Sequence, residues 1–330
     1  MTHHAAHETQ DGWSVAQPIT ATGDFFLGVS AAWREQSVAA NPSRPFEHRD
    51  GLRCTHPGAG MITKILEPRR LLHGIDGITR GKPMNIKDKV VVITGGSSGI
   101  GKETAIHLSR LGAKVILVAR SRERLVQVQD AIMAIPMESP LIVACDITSE
   151  EDVSRMAARV GENVDHVDVL INSAGIGRYR LAEAISNPEM RRHFEVNVYG
   201  AFYCIKALLP LLKSRGSGYI LNVGSIFSKW VPFPEVSVYA ASKFALRGFS
   251  DGLRRELKPY GISVGFLMPG AVNTPFQDQK EAGQRKAPAL LTLEADDVAK
   301  AIEKMIRRGK KNVMLPRWIS PLVWMRTIFD

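Results

Sequence analysis

From Lys87 onward, short runs of β-branched and other apolar residues alternate with longer stretches whose apolar positions recur every third or fourth residue. A short unbroken apolar run suits a strand buried on both faces, and the longer pattern suits a helix packed by one stripe. Their regular alternation predicts a parallel sheet covered by helices on both sides. Strands are expected at Val90–Thr94, Val115–Ala119, Leu141–Cys145, Val169–Asn172, Tyr219–Val223 and Ile262–Met268, with a last one at Asn312–Leu315. The reading is a single doubly wound α/β domain over residues 84–330, with a parallel sheet of about seven strands. Within it, residues 316–330 form a basic and aromatic C-terminal segment. No internal repeat or low-complexity tract interrupts the pattern.

Residues 1–83 read differently. They are rich in His, Pro, Gly and Thr, and their apolar patches, such as Phe25–Leu27, are short and follow no sustained period. A poorly structured N-terminal extension is expected, with Ile62–Leu72 as a short amphipathic surface helix. Met61 and Met84 both stand close before the first strand, so the start of the working chain is expected downstream of Met1.

Composition narrows the class. A chain of 330 residues with 45% hydrophobic content can bury a core large enough for an enzyme. Cys54, Cys145 and Cys204 are widely spaced and form no CxxC pair, which argues against a disulfide framework or zinc site and for buried thiols in a reducing cytoplasm. No apolar stretch reaches the length of a membrane span. The formal charge is +10, but eight Lys or Arg against two acids fall in Lys300–Asp330 alone. Such a local excess suits a solvated basic surface or a membrane-surface contact better than nucleic acid. His3, His4 and His7 lie where nothing would hold ligand geometry, so no metal is expected. His107 is read as an ordinary helix residue.

The segment Thr94-Gly95-Gly96-Ser97-Ser98-Gly99-Ile100-Gly101 directly follows the first strand and opens a helix. Glycines there let the backbone turn and approach a pyrophosphate, and a helix N-terminus offers free N–H groups to an anion. At the end of the second strand an acid would bind a ribose 2′-hydroxyl, yet this chain has Arg120-Ser121. A guanidinium favours a 2′-phosphate, so NADP(H) is expected over NAD(H). Further along, Tyr239-Ala240-Ala241-Ser242-Lys243 opens another helix, and the i, i+4 spacing sets phenol and ammonium on one face. A free tyrosine titrates at about 10, and a neighbouring cation lowers the cost of its phenolate.

Taken in order, Thr94–Gly101, Asp146, Asn172-Ser173-Ala174-Gly175, Asn197, Ser225, Tyr239 with Lys243, and Pro269-Gly270 resemble the short-chain dehydrogenase/reductase family over about Lys87 to Pro316. The resemblance implies a Rossmann-type fold and hydride transfer between NADP(H) and a carbonyl or alcohol, acting on CH–OH groups. Tyr239 would be the general acid in reduction and base in oxidation. Lys243 would hold the nicotinamide ribose and tune the phenol, Ser225 would hydrogen-bond the substrate oxygen, and Asn197 would anchor a water. Cofactor contacts would come from Gly95, Ser97, Ser98, Gly99, Ile100, Gly101, Arg120, Ser121, Asp146, Ile147, Asn172, Ala174, Gly175, Tyr239, Lys243, Pro269, Gly270 and Thr274.

Three positions depart from the family's pattern. Ser173 replaces a common second Asn, Ser98 stands where a basic residue is frequent, and the interval from Ser225 to Tyr239 is one residue longer than usual, which makes Ser228 a second candidate. Residues 176–184, 225–238 and 271–293 should form the substrate pocket. Their Phe227, Trp230, Val231, Phe233 and Phe276 favour an apolar or lipid-like ketone, and reduction is the expected direction. A non-catalytic NADP(H)-binding sensor or scaffold is the competing reading. The apolar helix through Phe202, Leu208, Leu209 and Leu212 suggests a homodimer or homotetramer, as is common in the family. The C-terminal segment is read either as a lid over the cleft or as a peripheral membrane contact, and the protein as cytoplasmic.

Overall fold

The computed structural model describes residues 84–134, 138–276, 292–321 and 323. The expectations for residues 1–83 and for 324–330 lie outside these. Seven strands form one wholly parallel sheet: β1 (Val90–Thr94), β2 (Lys114–Ala119), β3 (Leu141–Ala144), β4 (Val169–Asn172), β5 (Gly218–Val223), β6 (Ile262–Pro269) and β9 (Asn312–Leu315). Their spatial order is β3-β2-β1-β4-β5-β6-β9, with β7 (Ala271–Asn273) and β8 (Thr292–Glu294) paired as a separate two-stranded parallel sheet. The seven-strand, doubly wound expectation therefore holds, with boundaries displaced by one residue at several ends. The β7–β8 pair was not foreseen.

Successive strand residues point to opposite faces, and both faces are apolar here. Val91, Ile93, Val115, Leu117, Ile171 and Leu221 join one core with helices α1 (Gly99–Arg110), α2 (Arg122–Met133) and α7 (Ala295–Arg308). Val90, Val92, Ile116, Val118, Leu170 and Ile220 join the other with α3 (Glu150–Gly161), α5 (Gly200–Lys213) and α6 (Ser237–Leu257). Each fully buried Leu, such as Leu108 on α1 or Leu208 on α5, contributes about 1.5–3 kcal/mol of hydrophobic stabilisation.

Ahead of α5 the chain runs through α4 (Asn187–Phe194) and then a single π-helical turn at Glu195–Tyr199. Ser186 starts α4 with a capping box: its hydroxyl accepts from Glu189 N while the Glu189 carboxylate accepts from Ser186 N. Such widened turns insert one residue into a helix and are frequent at functional sites. This one contains Asn197.

A chain of buried amides and hydroxyls ties the second layer to the sheet. Asn172 Nδ2 donates to Asn222 Oδ1 at 2.8 Å, Asn222 Nδ2 donates to Ser250 Oγ at 2.8 Å, and Ser250 Oγ donates to Leu246 O at 2.7 Å. β4, β5 and α6 are thus joined by directional bonds in an otherwise apolar interface.

Candidate active site

Strand order reverses between β1 and its neighbours β2 and β4, so the loops leaving their carboxyl ends diverge and leave a crevice. Two contiguous clefts occupy it, of about 440 and 540 Å³. Between them the loop after β1 meets the loop after β4 at close range. Gly95 has φ 67°, and a Cβ there would stand 2.7 Å from Ala174 N. A Cβ on Gly101 would stand 2.3 Å from Gly95 O, so the first turn of α1 presses directly on the loop before it. Thr94 Oγ1 accepts from Ala174 N at 3.4 Å and completes the floor. Ser98 is the N-cap of α1 and spends no side-chain bond on capping, so its hydroxyl stays at the cleft.

The smaller cleft is polar. Gly95, Ser97, Ser98, Arg120, Ser121, Asp146, Ile147, Ala174 and Gly175 line it, all of them expected from sequence. Arg124 and Arg192 line it too and were not expected. Arg124 lies in the first turn of α2, whose N-cap is Ser121, a proximity that could have been read from the sequence. Arg192 comes from α4 and reaches Thr148 Oγ1 at 3.0 Å and Asp146 at 3.8 Å, a long-range contact with no local signal. Burial works against the charge of Asp146, but bonds from Thr148 N and Oγ1 and the charges of Arg192 and Arg120 hold its carboxyl below the usual range. Ser121 accepts from Arg124 N and donates to Glu123 Oε2 at 2.8 Å.

The larger cleft has aromatic and apolar walls. Tyr179, Phe227, Trp230, Phe233 and Phe276 line it, with Gly99, Ile100, Pro269, Gly270 and Thr274 toward the polar end. Ser225, Tyr239 and Lys243 converge inside it. Ser225 and Tyr239 line the cleft together, the Ser225 hydroxyl favouring the Tyr239 phenolate, and Lys243 Nζ stands 5.8 Å from the Tyr239 ring centre while donating to Val223 O at 3.1 Å. Burial raises the Tyr239 phenol well above its ordinary value, reinforced by Tyr179 and opposed by Ser225. The same burial pulls Lys243 down to about 8. Ser228 turns away: its hydroxyl donates to Ser225 O at 2.5 Å, and it is not among the residues lining the cleft.

Two expected residues sit behind the wall. Asn172 points into the β4–β5–α6 interface through Asn222. Asn197 spends its side chain on structure: Nδ2 donates to Ile176 O and to Ser242 Oγ, both at 2.9 Å, and Oδ1 accepts from Ile176 N at 2.9 Å. From the C-terminal segment, Ile319 is buried, joins a core patch with Phe266, Met268 and Met314, and lines the larger cleft. Trp318 beside it is exposed. Among the described residues, no helix is long and apolar enough to cross a membrane, and no cluster of His, Cys, Asp or Glu could hold a metal ion.

A parallel sheet with a glycine-floored crevice at its point of reversal is a Rossmann-type fold. Residues 89–285 match the short chain dehydrogenase family. The chain belongs to this short-chain dehydrogenase/reductase family and is an oxidoreductase. It is 39% identical over 196 residues to an uncharacterized oxidoreductase of Staphylococcus saprophyticus, covering 59% of this chain and 78% of that one. It is 35% identical over 259 residues to dehydrogenase/reductase SDR family member 7B of Danio rerio, covering 74% and 83% respectively. Among solved structures, an alcohol dehydrogenase from the archaeon Thermococcus sibiricus, complexed with 5-hydroxy-NADP, superposes with TM-score 0.63 at 30% identity, covering 69% of this chain and 96% of that one.

Proposed function

We propose that this oxidoreductase uses NADP(H) to reduce an apolar carbonyl compound to an alcohol. The observation that carries the proposal is the convergence of Ser225, Tyr239 and Lys243 in one aromatic-walled cleft that opens into a polar one, with Lys243 Nζ 5.8 Å from the Tyr239 ring centre. The residues fit a dinucleotide: side chains are excluded at Gly95 and Gly101 by backbone contacts under 3 Å, which leaves a bare floor beside the N-terminus of α1. Support for the phosphorylated form comes from Arg120 and Arg124 at the polar end, where no carboxylate replaces Arg120. The Thermococcus relative, crystallised with an NADP derivative, agrees with that choice.

When bound, the nicotinamide supplies the hydride. Everything else falls to the protein. A carbonyl oxygen between Ser225 and Tyr239 accepts two hydrogen bonds, and these strengthen as negative charge develops on it. Tyr239 then gives up its proton to that oxygen. Because burial disfavours phenolate, the tyrosine holds its proton at neutral pH and is loaded for reduction. Lys243, one helical turn along α6, offsets the charge left behind. Asn197 holds Ile176 and Ser242 in place and so steadies the loop and the helix that carry the cleft. Asp146 and Ile147 border the adenosine end. Among the described residues, the walls bring no fixed charge other than Lys243, which suits a neutral, apolar ketone.

Tyr199, Phe202 and Phe244 are exposed apolar side chains on the π-helical turn, α5 and α6, and they support pairing of two or four copies through these helices. The catalytic reading is tested by following NADPH absorbance with a panel of ketones, aldehydes and acyl carbonyls. Tyr239→Phe should lower turnover by about 10²–10⁴-fold while leaving NADPH affinity intact. NADPH binding with no turnover of any carbonyl or alcohol would instead identify a sensor or scaffold.

A further inference from the structure

The segment after β4 is fastened at every second residue. Ile176 is held through both backbone groups by the Asn197 amide at 2.9 Å. Arg178 N donates to His193 Nε2 at 3.0 Å, and Arg180 N donates to Glu235 O at 2.7 Å. In extended chain the intervening residues face the other way. Gly177 lies against Tyr239 and Phe276, where a Cβ would stand 3.3 Å from Tyr239 Cδ2 and 2.7 Å from Phe276 Cζ. Tyr179 meets Tyr239 edge-on with ring centres 5.5 Å apart and Phe227 at 6.3 Å.

His193 is 1% exposed and lies outside the cleft. Since its Nε2 accepts from Arg178 N, its proton sits on Nδ1, which donates to Glu189 O at 2.8 Å. Both ring nitrogens are therefore committed to backbone. The effect is to bridge α4 to the one amide that lies between Gly177 and Tyr179.

We propose that His193 is a positioning residue for substrate selection: by holding the Arg178 amide it sets where Tyr179 stands, and Tyr179 admits flat ring-bearing ketones in preference to short aliphatic ones. The ring of such a ketone meets the edges and faces of Tyr179 and Phe227 while its carbonyl reaches Tyr239, an arrangement in which aromatic contacts add specificity to burial. The Tyr179 hydroxyl, which burial pushes up to about 12, stays neutral and introduces no charge. This inference rests on the larger cleft being the site of carbonyl reduction.

Two conservative variants separate the bonds. His193→Asn retains a donor near the Nδ1 position and loses the acceptor for Arg178, whereas His193→Gln carries an amide oxygen out to the Nε2 position. Hydrogen exchange of the Arg178 amide, read by mass spectrometry, should quicken about tenfold in the Asn variant and stay near wild type in the Gln variant, as expected for one hydrogen bond. Calorimetric affinity of α-tetralone for the NADP+-loaded protein should fall about tenfold in the Asn variant, with NADP+ affinity unchanged in both. Equal exchange in Asn variant and wild type, equal behaviour of the two variants, or no α-tetralone binding to wild type overturns the inference. If α-tetralone binds and discriminates the variants but is never reduced, the selection wall stands and the reductase reading falls.

Discussion

Lys243 links structure to a pH profile. Its side chain is 4% exposed, and its hydrogen bond to Val223 O, a neutral acceptor, does little to replace lost hydration. Burial brings it from 10.5 to about 8, a lowering that corresponds to ~3 kcal/mol of disfavoured charge. In the proposed reduction the ammonium stabilises the phenolate left on Tyr239. The charged form predominates below the folded value and falls tenfold per pH step above it. Reductive kcat/KM at saturating NADPH should therefore be level at neutral pH and decline with unit slope above about 8. The phenol itself is pushed up by burial, so its own loss of a proton comes later and cannot account for that decline. Lys243→Arg keeps its charge throughout the range, and it should show lower activity without the alkaline decline. A wild-type profile flat to pH about 10 would refute the assignment, as would an identical decline in the Arg variant.

Two further outcomes follow from the geometry. Arg120→Asp places a carboxylate at the polar cleft, so fluorescence titration should show NADPH affinity weakened by about 10–100-fold and NADH affinity nearly unchanged; equal weakening of both would count against a 2′-phosphate contact. Asn222→Ala leaves the Asn172 amide and the Ser250 hydroxyl without their partner, and urea denaturation should register a loss of ~2–5 kcal/mol; a loss below about 0.5 kcal/mol would show the buried chain to be idle.

Much of the fold was legible because the sheet is apolar on both faces. Runs such as Val90–Thr94 and Val169–Asn172 stand out against helices whose stripes recur at a different period, and Asn312–Leu315 was placed at the residues where the strand lies. The β7–β8 pair was not legible, since three-residue strands are too short to express an alternation. Site residues carried by local motifs could be located in advance: the glycine turn, Arg120, and Tyr239 with Lys243. Spacing left Ser225 and Ser228 unresolved, whereas the structure turns Ser225 toward Tyr239 and Ser228 back onto the chain. The segment 176–184 that carries Tyr179 was expected to line the pocket, but His193 and Arg192 escaped notice for another reason. Each acts through a partner distant in sequence, His193 on the Arg178 amide and Arg192 on Thr148 and Asp146, and such contacts leave no periodic trace.

The Asn172–Asn222–Ser250 chain has a consequence for how such an enzyme can change. Asn222 lies on the strand that leads directly into Ser225, and Ser250 lies two turns beyond Lys243 on the same helix. The Asn222–Ser250 bond pegs β5 to α6 from beneath, and neither of its partners lines the cleft. Sliding the helix by one turn would break the Asn222–Ser250 bond and leave the Asn222 amide without its partner. The aromatic walls that the proposed reduction would use to sort ketones come instead from residues 176–180, 226–233 and 271–276. Selectivity can therefore drift by loop replacement while the two proton-handling hydroxyls stay in register.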